Sequence, residues 1–398
     1  MSEGRRRAGF AVLAVATVAL MASASAPSPI YPIYRDRFGF SVAMLTVVFA
    51  VYAGTLLIAL LTAGSLSDRI GRRPVLIVAL LLAAASTAAF WTADGLGALL
   101  AARVVQGLAS GAAMSALAAA LLDFSPTSRP QAGAWVTAIG TGVGMAAGAG
   151  GVGLLLEATS RPDRVAFPIL TAVFVALACF VLALPETVKP SGFLWAALRP
   201  RVSVDPAARS MFWATVPTTI AGWAATGLFL ALVPSLVHEV LHVEVAAIGG
   251  LSIAALYAAV VAGGLLANRT RIVSVTVAGG GLLGGGALLL AGAVGAASPA
   301  LFTIGALTLG VGVGLTFNGN LRAVGAVTSS TGRSATFAAV YVVSYVSLSV
   351  PVLLAGLAER AWGLALTADA YLTFIALVAV FALTRALTTT RITKEANA

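Results

Sequence analysis

Runs of about twenty apolar residues, parted by short polar breaks, set the pattern of this chain. A helix crossing a bilayer needs ~20 mostly apolar residues. Twelve stretches meet that length, at approximately 9–33, 41–63, 74–93, 97–121, 132–156, 165–184, 210–235, 246–267, 272–294, 299–321, 334–357 and 367–387. Most connections are short, as in the helix hairpins of a compact bundle. The longest break, PETVKPSGFLWAALRPRVSVDPAAR from Pro185 to Arg209, holds four prolines and follows the sixth stretch. The pattern predicts an all-α polytopic membrane protein, with twelve transmembrane helices in two pseudo-symmetric six-helix bundles. The expected divisions are a bundle over 1–185, a cytoplasmic linker over 186–209 and a second bundle over 210–398.

Composition strengthens that reading. The 398 residues are 60% hydrophobic and 10% charged, where soluble domains average about 25% charged. A water-soluble fold of this size would lack the polar groups to cover its surface. The 42 glycines suit membrane helices, because small residues let helix backbones approach. The opening RRRAGFAVLAVATVALMASASAPSP imitates a cleavable secretory leader. The chain re-enters an apolar run at Ser41, so this stretch is read as an uncleaved first membrane helix. Cys179 is the single cysteine, so no internal disulfide, metal site or cofactor is expected.

The net charge of +10 raises the question of nucleic acid. The basic residues are dispersed between apolar runs, so topology explains them and no nucleic-acid partner is expected. With the amino terminus in the cytoplasm, eighteen of the 24 Lys and Arg fall inside and five outside. That matches the excess expected of cytoplasmic loops. It predicts a multi-pass protein of a cell's inner (plasma) membrane, a monomer in the bilayer with both termini cytoplasmic. Arg103 alone falls within a helix. An embedded arginine is costly and is a functional candidate by default, the alternative being a side chain that snorkels to the headgroups.

The halves echo one another. GSLSDR at 64–69 returns as GLLANR at 264–269, and TSR at 127–129 as TGR at 331–333. Each pair holds the same place in its half, so a duplicated six-helix unit is expected. Parallel repeats of this kind are typical of one large transporter class.

The densest charge lies in GSLSDRIGRRPVL, residues 64–76. Gly64, Leu66, Asp68, Arg69, Gly71, Arg72 and Arg73, between the second and third helices, resemble the signature of the major facilitator superfamily. PET at 185–187 closes the sixth helix in a way that is similar to that family, and the resemblance spans essentially the whole chain. It implies alternating access about a central site. It further implies that Gly64, Asp68, Arg69, Gly71, Arg72 and Asp123 form a conformational gate, with Asp68 facing the amino end of helix eleven. RVVQGLASGA at 103–112 resembles the family's fourth-helix motif on Arg103, Gln106 and Gly107. The family assigns that arginine to proton coupling or to sensing substrate charge. The glycine run GTGVGMAAGAGGVG at 140–153 lacks the proline of the family's exporter motif, since Ala149 follows Gly148. Close packing explains those glycines equally well.

Polar and aromatic residues inside apolar runs are the cavity candidates. These are Tyr31, Tyr34, Tyr52, Trp213, Thr218, Trp223, Asn318, Asn320, Tyr341, Ser344 and Tyr345. Tyr341 and Tyr345, four apart, share a helix face. The expected substrate-binding set is Arg103, Gln106, Tyr52, Asn318, Tyr341, Tyr345 and Trp223. An aromatic, charge-poor cavity suits small amphipathic or neutral organic molecules. No acid falls squarely at mid-membrane, so proton coupling through a border acid and uncoupled exchange both stay open. There is no Ser/His/Asp set, metal cluster or GxxxxGK[ST] loop, so the chain is read as no enzyme and no ATP-driven pump. The leading expectation is a proton-coupled exporter of small organic solutes, resembling the drug:proton antiporter and sugar-efflux branch. An uptake permease, an uncoupled exchanger and a non-transporting sensor on the same scaffold are the alternatives.

Overall fold

The computed structural model describes residues 2–188, 200–270 and 272–395, with backbone alone at 272–274 and 387–395. Residues 189–199 of the expected linker, and Arg271, lie outside the described residues. The chain divides into two compact units. One is Met1–Ser41 with Val47–Pro200, and the other is Val42–Thr46 with Arg201–Ala398.

All regular structure among the described residues is helical. The first helices are α1 (Glu3–Ser25), α2 (Tyr31–Phe38), α3 (Val42–Ala63), α4 (Leu66–Ile70), α5 (Arg72–Trp91), α6 (Leu96–Asp123), α7 (Ala132–Ala158) and α8 (Asp163–Leu182). They are followed by α9 (Arg209–Ala231), α10 (Val233–Glu239), α11 (Ala247–Ala267), α12 (Ile272–Gly295), α13 (Pro299–Val327) and α14 (Arg333–Glu395). By length and composition, 11 segments among the described residues can cross a membrane. The last of them, Arg333–Ala386, has 54 residues. That is ~80 Å of helix at ~1.5 Å per residue, against ~30 Å of hydrocarbon. It breaks at Gly363, where φ is 74° and ψ 167°, so α14 is two helices end to end and the segments total twelve. At the other end of the chain, α1 stops at Ser25, a 3-10 turn spans Ser28–Ile30, and α2 restarts with Pro32 in its first turn. Proline is tolerated there because that N–H has no helical partner to lose.

The same pairings of helices build each unit. In the first, α1 packs on α7, and α5 packs on both α6 and α8. In the second, α9 packs on α14, and α12 packs on both α13 and α14. Glycines set how closely these helices approach. A Cβ on Gly111 would stand 2.7 Å from the Ala59 Cβ and run into the Leu56 carbonyl. A Cβ on Gly310 would stand 2.7 Å from the Ala259 Cβ and 2.5 Å from the Leu256 carbonyl. Leu56 and Ala59 thus correspond to Leu256 and Ala259, the same offset that separates GSLSDR from GLLANR. On the α1–α7 seam, a Cβ on Gly144 would meet the Val18 carbonyl at 2.5 Å, and one on Gly148 would strike the Ala22 carbonyl.

The start of each unit is tied to a later loop in the same way. Thr127 donates to Glu3 at 3.2 Å. Asp205 accepts from the Ser329 hydroxyl, from the Ser329 N–H at 3.0 Å and from the Ala207 N–H at 2.9 Å. The Ser329 hydroxyl, and after it the Ala207 N–H, hold the Asp205 carboxyl below the usual carboxylate range. A lowered folded-state pKa adds stability above the unfolded value of ~3.9 and loses it as pH falls through the folded value.

Gly148→Ala should destabilise the detergent-solubilised protein by about 1–3 kcal/mol, since backbone must move to admit the methyl. Gly151→Ala, where nothing lies within 4 Å, should be neutral or stabilising by up to about 1 kcal/mol. Thermal unfolding of both variants checks the opposite signs. Separately, the melting-temperature gap between wild type and Asp205→Asn should hold between about pH 7 and pH 5 and close between about pH 4 and pH 2.

Candidate functional site

Two polar loci stand out in the first unit, one at the end carrying Asp68 and one deep among the helices. At the first, α5 begins at Arg72 behind Gly71, whose φ of 104° is a conformation that favours glycine. A Cβ there would strike the Glu186 carboxylate. Glu186 accepts from the Arg72 N–H at 2.9 Å and the Arg73 N–H at 3.0 Å, so it fills the positive end of α5. The Arg72 guanidinium binds the Asp68 carboxylate, donates to Ser67 at 2.9 Å and reaches Asp123 at 3.4 Å. Thr187 donates to the same Asp123 oxygen at 2.7 Å. A single arginine thus joins α4, α5 and α6, and Glu186–Thr187 ties in the chain beyond α8. Gly64 closes the turn after α3, where a Cβ would strike the Leu60 carbonyl. Among the described residues, no hydrogen bond or ion pair joins the Arg69 side chain to this network.

Sequence reasoning placed Asp68 and Asp123 here but missed Glu186, Thr187 and Ser67. PET at 185–187 was the available signal, since a lone acid after an apolar run can reach a free helix end. In the second unit the matching corner is built with opposite charge. Asn268 stands where Asp68 does, and Arg322 donates to the Ala267 carbonyl at the end of α11.

The second locus centres on Arg103, which is 0% exposed. It sits on one face of α6 with Gln106, Gly107 and Ser110, all buried. Its guanidinium donates to the Tyr31 hydroxyl, the Gln106 side-chain oxygen and the Ala24 carbonyl, the last at 3.2 Å. Gln106 passes its own amide to the Ser23 carbonyl at 2.8 Å. The rings of Tyr52, Tyr31 and Phe90 lie 5.1, 5.2 and 5.4 Å from the guanidinium carbon. Tyr31 reaches this place because α2 restarts after the proline-broken turn. Tyr34, three residues on, is also buried and donates to the Phe90 carbonyl at 3.0 Å. Arg37 lies over the Tyr34 ring and pairs with Asp163 at 2.9 Å. Asp163, which the hydropathy pattern leaves at the bundle border, is buried to 3% exposure.

In the second unit, Trp223 of α9 lies 5.1 Å from Tyr345 and 5.7 Å from Phe317, ring centre to ring centre. Tyr341 lies 6.5 Å from Tyr345. One helical turn from Phe317 and Trp223, Asn320 donates to Thr218 at 2.9 Å, Thr219 at 3.0 Å and the Thr215 carbonyl at 3.3 Å. Asn318 instead donates to the Gly314 carbonyl of its own helix at 3.1 Å and lies against Gly264. The rings of Trp223, Tyr341 and Tyr345 therefore gather, and Asn320 binds the α9 threonines about one turn before Trp223. Trp213 is 61% exposed on the outer face.

The sequence profile of the Major Facilitator Superfamily matches residues 13–352, and the chain belongs to that family. It is a multi-pass membrane transporter with a small-molecule substrate, and not an enzyme. No curated protein sequence matches it significantly. Among solved structures it is similar to a bacterial homologue of the human lysosomal transporter Spinster, inward-facing and unoccupied. That match has a TM-score of 0.79 and 14% identity over 98% of this chain and 99% of the other. The occupied form of a bacterial Spinster homologue matches at 0.69, with 15% identity over 96% and 97%. A POT family transporter in complex with 5-aminolevulinic acid matches at 0.77, with 10% identity over 96% of each chain.

The Glu186 cap generates a local prediction. Glu186→Ala should cost about 1–2 kcal/mol and should raise amide hydrogen exchange at Arg72 and Arg73. Exchange at the buried middle of α5 should stay unchanged.

Proposed function

We propose that this chain exports small organic solutes across the inner (plasma) membrane by alternating access, in exchange for protons, with both termini in the cytoplasm. The observation that carries this reading is the Asp68–Arg72–Asp123 network with its Glu186 cap. It joins the ends of several helices through one mostly covered arginine, Arg72, and two carboxylates that keep contact with solvent, Asp68 and Asp123, so that its ion pairs are individually weak. Gly64, Asp68, Arg69, Gly71, Arg72 and Asp123 are proposed as the gate, with Glu186 added. Arg103, Gln106 and Tyr52 from the first bundle, and Trp223, Tyr341, Tyr345 and Asn318 from the second, are proposed to serve the solute. Asn320 joins them because it binds Thr218 and Thr219, about one turn before Trp223 on the same helix. The aromatic side chains support an amphipathic or planar solute. The POT family structure, solved with a small amino acid derivative, supports a solute of that size.

A second reading, solute exchange without protons, is favoured by one observation. The described partners of Arg103 are a hydroxyl, a side-chain amide and a carbonyl, whereas proton relays rely on Asp, Glu or His.

Proteoliposomes test both readings. A pH gradient is imposed, pooled solutes are added, and luminal pH and solute content are followed. Proton movement triggered by solute supports the first reading, and solute flux without it supports the second. Absence of flux with every pool overturns transport. Asp68 is 61% exposed at its side chain, so its pair with Arg72 is worth ~0.2–1 kcal/mol. Asp68→Asn should therefore slow initial flux by up to about fivefold, with insertion unchanged.

A further inference from the structure

On the proton-exchange reading above, we propose that Asp369, in the last membrane helix of the second unit, is the group that binds and carries the proton. Hydropathy alone leaves Asp369 at the border of the last apolar segment. The helix itself starts earlier, after the break at Gly363. Asp369 therefore lies about 9 Å into it, at ~1.5 Å per residue. It shares a stripe with Leu372 and Ala376, both buried, and Gly284 of α12 lies against Ala376 and Ala379. Asp369 is half-buried. Its Oδ1 is buried without a partner, and no hydrogen bond or neighbouring charge acts on the carboxyl group among the described residues. The elements packed on α14 are α9, α10 and α12. α12 has no titratable side chain, and α9 has only Arg209, its first residue. His238 and Glu239 of α10 are exposed. On α14 itself, Glu359 and Arg360 lie before the break, and the Tyr371 hydroxyl donates to the Ala224 carbonyl at 2.9 Å.

The start of a helix does not explain the acid. Free N–H groups hold a carboxylate within the first turn, and Asp369 lies beyond it. The first unit shows the ordinary use of an acid in the matching place. There α8 packs on α5 as the second part of α14 packs on α12. The acid of α8 is Asp163, its first residue, and Arg37 pairs with it at 2.9 Å. Beyond Asp163, α8 runs to Leu182 without another acid. In the second unit the acid sits deeper and has no such arginine. A bare carboxylate is costly in hydrocarbon, while the neutral acid has no charge to desolvate. The chemical step is a protonation alone. A proton adds to the carboxylate and later leaves, and no other bond forms or breaks. Repacking α14 against lipid is open to the neutral acid and costly to the anion, so the leg of the cycle without solute carries a proton.

Full-length protein in proteoliposomes, given the solute pools that move in wild type, tests this. In wild type a pH gradient should drive solute uphill. Asp369→Asn, which resembles the neutral acid, should lose that drive and the solute-triggered proton movement, while solute-for-solute exchange persists. Asp369→Glu keeps a carboxyl group and should restore the drive. Glu359→Gln, which removes the acid before the break, should behave as wild type. A second measurement needs no variant. Dicyclohexylcarbodiimide, an apolar reagent that attacks protonated carboxyl groups, should label Asp369 in the wild-type protein, more heavily as pH falls, with the site read by peptide mass mapping. This keeps the test decisive if Asp369→Asn fails to fold. Full gradient drive in Asp369→Asn overturns the proposal, as does an unlabelled Asp369 in wild type. Loss of exchange together with drive in a folded Asp369→Asn marks a structural role and overturns it too. The two ideas fail separately. Solute exchange without proton movement in wild type sinks the proton-exchange reading, whereas coupled transport in both wild type and Asp369→Asn sinks the assignment of Asp369 alone.

Discussion

Hydrocarbon offers no partner to a backbone N–H or carbonyl, so every peptide group in the membrane segments must be satisfied inside its own helix. Once the chain is divided into helices, no hydrophobic force draws one to another, because lipid is as apolar as leucine. Close contact has to supply the cohesion. Gly107, Gly111, Gly144 and Gly148 in the first unit, and Gly227, Gly310 and Gly314 in the second, each leave no room for a Cβ against a neighbouring backbone carbonyl. The glycine content is therefore the means by which dispersion contacts reach useful strength.

This constraint also decides where polar chemistry can sit. Helix ends have free N–H and carbonyl groups, and the structure spends its charges on them. Glu186 fills the start of α5, Asp205 the turn before α9, and Arg322 the end of α11. The Thr and Ser side chains within helices mostly return their hydroxyls to their own backbone, as Thr17, Thr137 and Thr316 do. Away from the ends, a polar group survives only with neighbours built for it. Arg103 has them in Tyr31, Gln106, Tyr52 and Phe90.

The helix count, the all-α class and the superfamily were legible because each rests on a one-dimensional pattern. Apolar run length reports a crossing, and the spacing of Gly64, Asp68, Gly71 and Arg72 reports a family. The arrangement around Arg103 was less legible, because it depends on which faces meet. Arg103 with Gln106 was visible as a pair on one helix face. The burial of Tyr31 and Tyr34 was not, since three prolines in PSPIYPIY signal a break without giving the direction in which the chain resumes. Asn318 and Asn320 are two residues apart and point to different neighbours, a distinction that hydropathy does not carry. Glu186 was hidden for another reason. Its partners are backbone N–H groups more than a hundred residues away, and backbone groups leave no mark in the sequence.

The internal repeat turns the protein into its own control. Features shared by both units, such as the recurring helix pairings, the seams at Gly111 and Gly310, and the ties at Glu3 and Asp205, are what a six-helix unit needs in order to pack. Features present in one unit alone need another explanation. Asp68 has Asn268 as its counterpart, and Arg103 has Phe302. Both changes remove charge from the second unit while its packing persists. The charges at Asp68 and Arg103 are thus not what the packing of a six-helix unit requires. The cost of burial is smallest at Asp68, which is mostly solvated, and greatest at Arg103, which is wholly enclosed. Enclosure with neutral partners makes Arg103 the place in this structure where an opposite charge would gain most.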